Sequence, residues 1–550
     1  QGFKMFQQQQ TLIQDLPKIQ NLYEKYQLDS NKFQELTKNS QNFKVRIPLI
    51  GAFSAGKSSL INALLAQKLL AVEIDPASNL ATEISFAETD QILGFKDNQF
   101  VKELSFEQLK SQDFDDLGAN GHVEVKLNNP LLQSLPHLCL ADLPGLDSKS
   151  EAHSQAIHHY LGRSLAYCIM VSSEEGTLKE SIKNFLAELA LHQAPVLVII
   201  SKSDKRSAKD IEAIKQQVKQ QVQAILPPDN YLNVVAASRK NFDTVIAALQ
   251  ELEQRSEQRF KETVVKQSID TIATLQQHIE VLNNQDNLDL ESLKLKQTEM
   301  QEEMQHFQQK LKQEHQQINS RFNDVLSQIT QHIRSRLTGE TDSFANSVLH
   351  QGSDIQQQIT YSVRIGMTEG MERYFKPLVE KYLHRIESEL PEQLKINQNF
   401  NFEASDNDGL NTTILTGAAT LLPIVLRSFP YAAVIIPIIT TILGKFISDS
   451  QKEQQRAEQR EQARSYVQAT LIPQVMAQVE LNLRQILTAQ LQQVEQNVQQ
   501  QIDEKYQQAQ LALAQLAQQL QQGEAEQEQR RAIYQQDLTT LNQVLQALNP

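Results

Sequence analysis

The pattern of hydrophobic and polar positions divides the chain into two parts of different periodicity. Between residues 43 and 250, short apolar runs alternate with amphipathic stretches; the runs are VRIPLI, ISFAET, VEVKL, LCLADL, AYCIMVSS, VLVIISK and LNVVAAS. Runs of this length that alternate with helical patterns are typical of an α/β sheet with helices on both faces. This segment is therefore predicted to be one α/β domain.

After residue 250 the apolar positions follow a helical period as far as the C-terminus. In the clearest stretch they recur every three, four or seven residues; they are Met300, Met304, Phe307, Leu311, Ile318, Phe322, Val325 and Ile329. This spacing places them on one stripe of a long helix. A second long helical region is predicted between about 452 and 548. Because a single amphipathic helix cannot bury its stripe alone, an elongated helical bundle is expected.

These patterns predict the following domain organisation. Residues 1–42 form a helical segment that packs with the bundle, residues 43–250 form the α/β domain, and residues 251–410 form the first part of the bundle. Residues 411–448 form a hydrophobic tip, and residues 449–550 return as further bundle helices. The expected fold class is a mixed, mostly parallel α/β sheet with helices on both faces, joined to an elongated all-α bundle.

Composition excludes some classes of function. Of the 550 residues, 40% are hydrophobic, which is enough to build cores of ordinary size. The formal net charge of −14 argues against a nucleic-acid partner, because phosphate contacts need Lys and Arg in excess. The two cysteines, Cys139 and Cys168, lie in apolar runs, so no disulfide framework is expected. We expect a cytoplasmic protein, with export as the alternative.

The stretch GAFSAGKSSL follows an apolar run directly and fits a phosphate-binding loop. Gly51 and Gly56 allow backbone N–H groups to point inward, and the following helix adds its positive N-terminal end. Lys57 is expected to bridge the β and γ phosphates, and Ser58 to bind Mg²⁺. The alternative, an ordinary glycine-containing turn, is disfavoured by the position between strand and helix. The nucleotide contacts predicted in this loop are Gly51, Ser54, Ala55, Gly56, Lys57, Ser58 and Ser59.

A second motif, LADLPGLDS, has Asp142 at the end of an apolar strand and Gly145 three residues later. The Asp142 carboxylate can hold the Mg²⁺ shell through water. The Gly145 N–H can contact the γ phosphate and respond to its loss. Two such motifs in this order predict a nucleotide-dependent switch.

A third motif identifies the base. VIISKSD places Lys202 and Asp204 after a buried strand, in the pattern of the guanine-reading motif N/T-K-x-D. A carboxylate at Asp204 can accept from guanine N1–H and the 2-amino group, whereas adenine offers neither donor, so GTP is predicted over ATP. Ser201 stands where the motif has Asn or Thr, and this departure is expected to loosen the loop. The alternative interpretation of SKSD, taken by itself, is a Lys–Asp turn at the surface. Farther on, VVAAS is expected to supply the final loop beside the base, with Ser238 and Arg239 as candidate contacts.

With these motifs in order, the chain resembles the dynamin superfamily, and in particular the bacterial dynamin-like proteins. The resemblance rests on GAFSAGKSS, DLPG and SKSD, on helices before and after the GTPase domain, and on the hydrophobic tip. It implies a P-loop GTPase that hydrolyses GTP with Mg²⁺. It also implies self-association through paired GTPase domains, with a homodimer or a second dynamin-like partner, and remodelling of membranes by bending, tethering, fusion or vesicle release.

The resemblance also implies roles for individual residues. In DPASNLATEISF, Ser78 takes the place of the first-switch Thr and is the expected Mg²⁺ ligand, with Thr82 as the competing assignment. Phe53 stands where the eukaryotic dynamins have Gln, and its ring cannot donate a hydrogen bond. Because catalysis here depends on placed charges and donors, hydrolysis is expected to be slow or to require a partner. The catalytic residues implied are Ser54, Lys57, Ser78 and Gly145.

Residues 414–447 contain no Asp or Glu and only two charges, Arg427 and Lys445. A spanning helix needs about 20 apolar residues, whereas the longer uncharged block covers only residues 428–444 and is interrupted by two prolines. A hairpin that enters one leaflet is expected, with both cations at anionic headgroups. The alternative is a buried helix pair at the bundle tip or in a dimer interface. The lipid-facing residues predicted are Val434, Ile435, Ile436, Ile438 and Ile439.

The sequence is compatible with three functions. The leading one is a GTPase, peripherally associated with membranes, that assembles on them and remodels them. The second is a pore-forming protein regulated by its nucleotide domain. The third is a soluble GTP-sensing scaffold whose long helices bind partner helices.

Overall fold

The computed structural model divides the chain into two compact units. Unit 1 comprises Gln1–Thr271, Glu403–Thr413 and Val544–Pro550, and unit 2 comprises Ile272–Phe402 and Ile414–Gln543. The residues that the structure describes are 5–52, 54–72, 80–96, 99–118, 121–146, 157, 160, 164–191, 194–285, 289–349, 355–391, 401–402, 415–416, 425, 429, 434–435, 437–438, 441, 456–520 and 527–548.

Unit 1 is built on one sheet, in which the described residues form nine strands. The strands are β1 (Val45–Gly51), β2 (Ala81–Phe86), β3 (Gln91–Lys96), β4 (Gln99–Glu103), β5 (Gly121–Leu127), β6 (Leu138–Asp142), β7 (Tyr167–Ser172), β8 (Val196–Ser201) and β9 (Tyr231–Ala236). Their order is β4-β3-β5-β2-β6-β1-β7-β8-β9. Strands β6, β1, β7, β8 and β9 are mutually parallel, as are β2 and β5, whereas β2 is antiparallel to β6 and β3 to both its neighbours. The predicted mixed, mostly parallel sheet is confirmed.

The central strands are buried along their whole length, as expected for parallel strands covered on both faces. The described helices of this part are α1 (Gln7–Lys25), α2 (Asn31–Gln41), α3 (Lys57–Leu64), α4 (Phe106–Ser111), α5 (Pro130–Ser134), α6 (Glu180–Leu191), α7 (Ala208–Gln223) and α8 (Asp243–Phe260). Local signals set several of their ends: the Asn129 side chain caps α5, and the Ser207 side chain caps α7. Because β1, β6, β8 and β9 are parallel, the loops after them meet at one edge of the sheet.

Strands β3 and β4 were not apparent from the sequence. Strand β4 lies at the edge of the sheet, and its residues are exposed or half-buried. Strand β3 is exposed at its two ends and contains Gly94, beside which its register with β4 shifts. Neither strand therefore shows the continuous apolar run or clean alternation by which the other strands are recognised.

The N-terminal helices belong to unit 1, not to the bundle as the sequence suggested. Phe6 stacks on the ring of His137, just before β6, with centroids 3.8 Å apart. The two ring nitrogens of His137 lie 2.8 Å from Gln9 Oε1 and 2.5 Å from Glu253 Oε1 of α8. The apolar side of α1 is therefore covered within unit 1, and unit 1 also extends beyond the predicted boundary at residue 250, as far as Thr271.

The second half of the described chain is helical apart from two short strands, β10 (Asn401–Phe402) and β11 (Leu415–Thr416), which pair antiparallel. The helices are α9 (Lys266–Gln285), α10 (Leu290–Gly339), α11 (Thr341–Leu349), α12 (Ile355–Gly370), α13 (Lys376–Glu389), α14 (Arg456–Tyr466), α15 (Ile472–Leu520) and α16 (Gln527–Leu548). All eight residues of the predicted apolar stripe lie on α10 and are buried. The prediction of one long helix there is confirmed.

Helix α10 packs closely against α12 within unit 2. A Cβ added at Gly366 would lie 3.1 Å from the Cα of Ile333, and one added at Gly370 would lie 3.0 Å from the Ile329 side chain. Glycine at these positions lets the two backbones approach, so that the apolar faces of α10, α12 and α15 form one core.

Several described residues of the hydrophobic tip lie inside that core. Val434 and Ile435 are 6% and 0% exposed, and Ile438 is partly buried against the same cluster. The expectation that Val434 and Ile435 face lipid is therefore not met in this conformation, because the bundle helices already cover them. Arg427, Ile436, Ile439 and Lys445 lie outside the described residues.

Within the described parts of the chain, the structure contains no helix with the length and apolar character needed to span a bilayer.

Candidate nucleotide-binding site

A cavity of about 560 Å³ lies at the edge of the sheet where the loops after β1, β6, β8 and β9 meet. All three sequence motifs contribute to its wall. The predicted residues that line it are Ser54, Gly56, Lys57, Ser58, Ser59, Thr82, Asp142, Gly145, Lys202, Asp204 and Ser238. The fold has therefore brought together residues that are far apart in the sequence.

The two glycines of the phosphate loop have different roles. Gly56 has φ +89°, a left-handed conformation that side-chain-bearing residues rarely adopt, and it immediately precedes α3. Gly51 is required by packing instead, since an added Cβ would lie 2.7 Å from the backbone oxygen of Met170 in β7. Ser54 also has a positive φ, of 63°, and is exposed, whereas Lys57 at the start of α3 is 9% exposed. Phe53 is outside the described residues.

Ser58 and Asp142, both predicted to serve the Mg²⁺ site, contact each other directly. The Ser58 hydroxyl donates to Asp142 Oδ2 at 2.7 Å. The other carboxylate oxygen, Oδ1, is buried and has no hydrogen-bond partner among the described residues. Burial raises the pKa of Asp142, although the charge of Lys57 and the Ser58 hydrogen bond oppose this. A buried carboxylate with an unused oxygen beside a hydroxyl suits a hard divalent cation such as Mg²⁺.

Thr82, the alternative first-switch residue, lies next to this pair. It stands directly opposite Asp142 in the antiparallel register of β2 and β6. It is 6% exposed and lines the cavity. Ser78 is outside the described residues, so of the two assignments the structure places only Thr82.

The second motif is attached to the first through the backbone. The N–H of Leu146 donates to the carbonyl of Gly51 at 3.0 Å. This bond holds the DLPG segment against the beginning of the phosphate loop, with Gly145 in the cavity wall. Movement of either segment would therefore affect the other.

Ser201 does more than the sequence suggested. Its hydroxyl donates to the backbone carbonyl of Ala55 at 2.5 Å, which links the third motif to the phosphate loop. The next residue, Lys202, has φ 55°, and its carbonyl accepts a 2.7 Å hydrogen bond from the Ser173 hydroxyl. The structure shows no sign of the expected loosening, because the serine hydroxyl is bonded to the phosphate loop.

Asp204 lies in a short 3₁₀ turn, Ser203–Lys205, and is exposed at the cavity. The preceding Lys202 forms an ion pair with Glu174, with Nζ and Oε2 2.7 Å apart. The hydrogen bond and charge of Lys202 hold the pKa of Glu174 below its usual value. Among the described residues Asp204 forms no ion pair, and its exposed carboxylate is accessible to a ligand.

The loop after β9 completes the wall. The hydroxyl of Ser238, a buried residue, accepts from the backbone N–H groups of Lys240 and Asn241 at 3.2 and 3.1 Å. The next residue, Arg239, donates from Nη2 to the Ser59 hydroxyl at 3.3 Å. This contact across the cavity was not anticipated from the sequence.

The segment between β4 and β5 also contributes residues that sequence reasoning missed. Leu109 of α4, together with Gln112 and Phe114, lines the cavity. These residues belong to no nucleotide-binding motif. The only local signal is the capping box of Ser105 and Gln108, which marks the start of α4.

A strand that leads through a glycine-containing loop into a helix starting with Lys-Ser, with an Asp at the end of a neighbouring strand, defines a P-loop nucleotide-binding domain. The comparisons with known proteins agree. Residues 47–204 match the sequence model of the Dynamin family. For this segment the match confirms the resemblance drawn from the motifs.

The chain is 25% identical over 222 residues to an uncharacterised protein from Caldicellulosiruptor, covering 37% of this chain and 53% of the relative. It is 22% identical over 289 residues to Dynamin-like protein 1 of Campylobacter jejuni, covering 43% of this chain and 40% of the relative. The matches thus span about half of the first relative and less of the second. A solved bacterial dynamin pair, described as oligomerised and as sensing and tethering membranes, aligns with 16% identity and a TM-score of 0.41, covering all of this chain and 83% of that one.

Proposed function

We propose that the chain binds GTP in the 560 Å³ cavity and hydrolyses it. The observation that carries this proposal is the meeting of the three motifs, with Lys57 at the start of α3 and the exposed Asp204 in another loop of the same cavity wall. A cation at the phosphate end and an accessible carboxylate at the base end are what a guanine nucleotide requires.

Each residue has a role in this proposal. Lys57 and the N–H groups of the phosphate loop bind the β and γ phosphates. Ser58 and Thr82 would hold Mg²⁺, with Asp142 contacting its water shell; the metal would neutralise charge on the phosphates. Gly145 contacts the γ phosphate, and Ser54 extends the loop over it. Ser201 keeps the loop in position through its bond to Ala55.

Base recognition can be tested by exchanging guanine for xanthine. Asp204→Asn should weaken GTP binding and strengthen binding of xanthosine triphosphate, because an amide can donate to the extra carbonyl of xanthine. Asp229→Asn, an exposed residue in another turn, is the matched control. Equal weakening of both nucleotides in Asp204→Asn would mean that Asp204 supports the loop instead of reading the base.

Phosphate binding has a separate test. Lys57→Ala should abolish binding of both GDP and GTP while the circular dichroism spectrum of the protein is retained. Unchanged affinity for a GTP analogue would remove the phosphate-loop assignment.

Self-association is tested by measuring the rate of GTP hydrolysis against protein concentration. A rate per molecule that rises with concentration would support self-association through GTPase domains, and a constant rate would count against it.

We further propose that nucleotide binding is used at a membrane, through residues 414–447. The support is the family of the GTPase domain and the nearly uncharged, apolar composition of this segment. Because Val434 and Ile435 are buried in the helical core, lipid binding would require either other residues of the segment or release of these two.

Liposome flotation separates the membrane proposal from the soluble scaffold. Association with anionic vesicles that depends on a GTP analogue supports a membrane function. The burial of Val434 and Ile435 is the observation that favours a soluble GTP-sensing scaffold. Absence of flotation with GDP, with a GTP analogue and without nucleotide would establish the scaffold as the better description.

A further inference from the structure

Arg239 occupies a defined place on the wall of the nucleotide cavity. It is exposed, it follows β9, and it donates to the hydroxyl of Ser59 in the first turn of α3 at 3.3 Å. The backbone beneath it is fixed, because the Ser238 hydroxyl accepts two backbone N–H groups and the Ser238 N–H donates to the Asn241 carbonyl at 2.8 Å. The guanidinium is therefore presented towards α3 by an ordered turn.

The loop that carries Arg239 lies at the base end of the cavity. The N–H of Ser203, next to Asp204, donates to the carbonyl of Ala237 at 3.1 Å. This bond joins the turn that presents Asp204 to the loop that presents Arg239. The backbone of Arg239 therefore lies on the side of the cavity where the base would bind.

The other end of its hydrogen bond points to the phosphates. Ser58 faces Asp142 and so marks the metal end of the site. Ser59 is the next residue of α3, and successive helical residues are rotated by about 100°. Its hydroxyl is thus turned away from Asp142. The contact between Arg239 and Ser59 lies between the base end and the metal end, where the first phosphate of a bound nucleotide would be.

The other cations that line the described cavity have different positions. Lys57 begins α3 at the metal end, and Lys202 is paired with Glu174. Lys205 is exposed on the turn of Asp204. Among these described cations, Arg239 is the one seen to contact Ser59.

We propose that Arg239 binds the α-phosphate of the nucleotide and thereby holds GDP as firmly as GTP. The inference rests on the proposed function. A guanidinium forms strong, planar hydrogen bonds to phosphate, and it can leave the Ser59 hydroxyl for that charged partner. Because the α-phosphate is the same before and after hydrolysis, this contact contributes equal binding to substrate and product. Arg239 therefore slows product release without taking part in bond cleavage.

The test compares guanosine, GMP, GDP and a non-hydrolysable GTP analogue on the full chain, by titration calorimetry or competition. Arg239→Ala should weaken the three phosphorylated ligands by the same factor, about ten- to a hundredfold, which is the size expected for a hydrogen bond to a charged group. Guanosine affinity should not change. GDP release, measured with a fluorescent analogue, should accelerate by a similar factor. Lys240→Ala, which removes the neighbouring exposed charge, should alter none of these values.

Three outcomes would overturn the inference. If Arg239→Ala weakens guanosine binding as much as nucleotide binding, Arg239 contacts the base or ribose. If it weakens only binding of the triphosphate analogue, Arg239 contacts the γ phosphate. No change for any ligand would make Arg239 a surface residue. The proposed function fails in a different way, if the wild-type protein itself binds no guanine nucleotide. Unchanged thermal unfolding of ligand-free Arg239→Ala shows that the variant is folded.

Discussion

The hydroxyl of Ser201 donates a hydrogen bond to the backbone carbonyl of Ala55 at 2.5 Å, across 146 residues of sequence. Ser201 ends the strand that precedes the turn carrying Asp204, and Ala55 lies in the loop before α3. This hydrogen bond therefore connects two of the loops that line the cavity.

Ser201→Ala should weaken the binding of both GDP and GTP by about two- to tenfold, which corresponds to the roughly 0.5–1.5 kcal/mol of an ordinary hydrogen bond. The loss is expected because the phosphate loop would be held less firmly before the ligand binds. Titration calorimetry measures it. Ser201→Thr keeps the hydroxyl and should retain most of the affinity; an equal loss in both variants would show that the hydroxyl is not responsible.

Asp142→Asn should remove the Mg²⁺ dependence of nucleotide binding without destabilising the ligand-free protein. Burial raises the pKa of Asp142, so the ionised form is disfavoured in the folded state. Stability from this group therefore falls as pH increases from the unfolded pKa through the folded one. The neutral amide avoids that loss, and ligand-free Asp142→Asn should melt at the same temperature as wild type or higher at pH 7.

Thermal unfolding with and without Mg²⁺ and GDP provides the measurement for Asp142→Asn. Ser58→Ala is the control, because it removes the hydroxyl that donates to Asp142 and leaves the buried charge. It should melt at a lower temperature than wild type. A large loss of stability in ligand-free Asp142→Asn would show that the carboxylate is needed for the fold.

Glu83→Gln should destabilise unit 1 by about 3–5 kcal/mol, because it leaves a buried guanidinium without its counter-charge. Arg46 Nε and Glu83 Oε1 are 2.7 Å apart, with both side chains under 10% exposed, and the Tyr160 hydroxyl donates to the same oxygen at 2.8 Å. Burial acts to raise the pKa of Glu83, but the charge of Arg46 and both hydrogen bonds hold it below its usual value.

The stability that Glu83 contributes is therefore present at neutral pH and is lost as pH falls through its lowered pKa. Urea unfolding of unit 1, followed by a probe in the sheet, measures the effect. Arg46→Met combined with Glu83→Leu should recover part of the loss, since apolar residues of similar volume need no counter-charge. A Glu83→Gln variant as stable as wild type would show that water reaches the pair.

Ile435→Ala should destabilise unit 2 by about 2–5 kcal/mol, the range for a large apolar residue in a packed core. Ile435 is 0% exposed. The matched control is Leu481→Ala, which alters a residue of α15 that is 52% exposed and should change stability by less than about 0.5 kcal/mol. Denaturant unfolding of unit 2 gives both values. If Ile435→Ala is as stable as wild type but loses liposome binding, Ile435 faces lipid and not the helical core.

Local sequence patterns were sufficient for much of this protein. The spacing of Gly51, Gly56, Lys57 and Ser58 indicated the phosphate loop because the loop is one continuous segment with its own backbone requirements. The stripe from Met300 to Ile329 indicated α10 because a helix repeats its apolar face at a fixed interval. The central strands were recognised because each is a short run of consecutive apolar residues. In each case the signal and the structure lie in the same stretch of chain.

Tertiary structure decided the rest, because those features depend on which distant segments meet. The bond of Ser201 to Ala55 and the reach of Arg239 to Ser59 join segments that are more than a hundred residues apart. The edge strands β3 and β4 are held by pairing with their neighbours, not by an apolar pattern of their own. An apolar run such as that around Val434 and Ile435 indicates only that these side chains avoid water. Packing decides whether lipid or protein covers them, and here the bundle helices cover them.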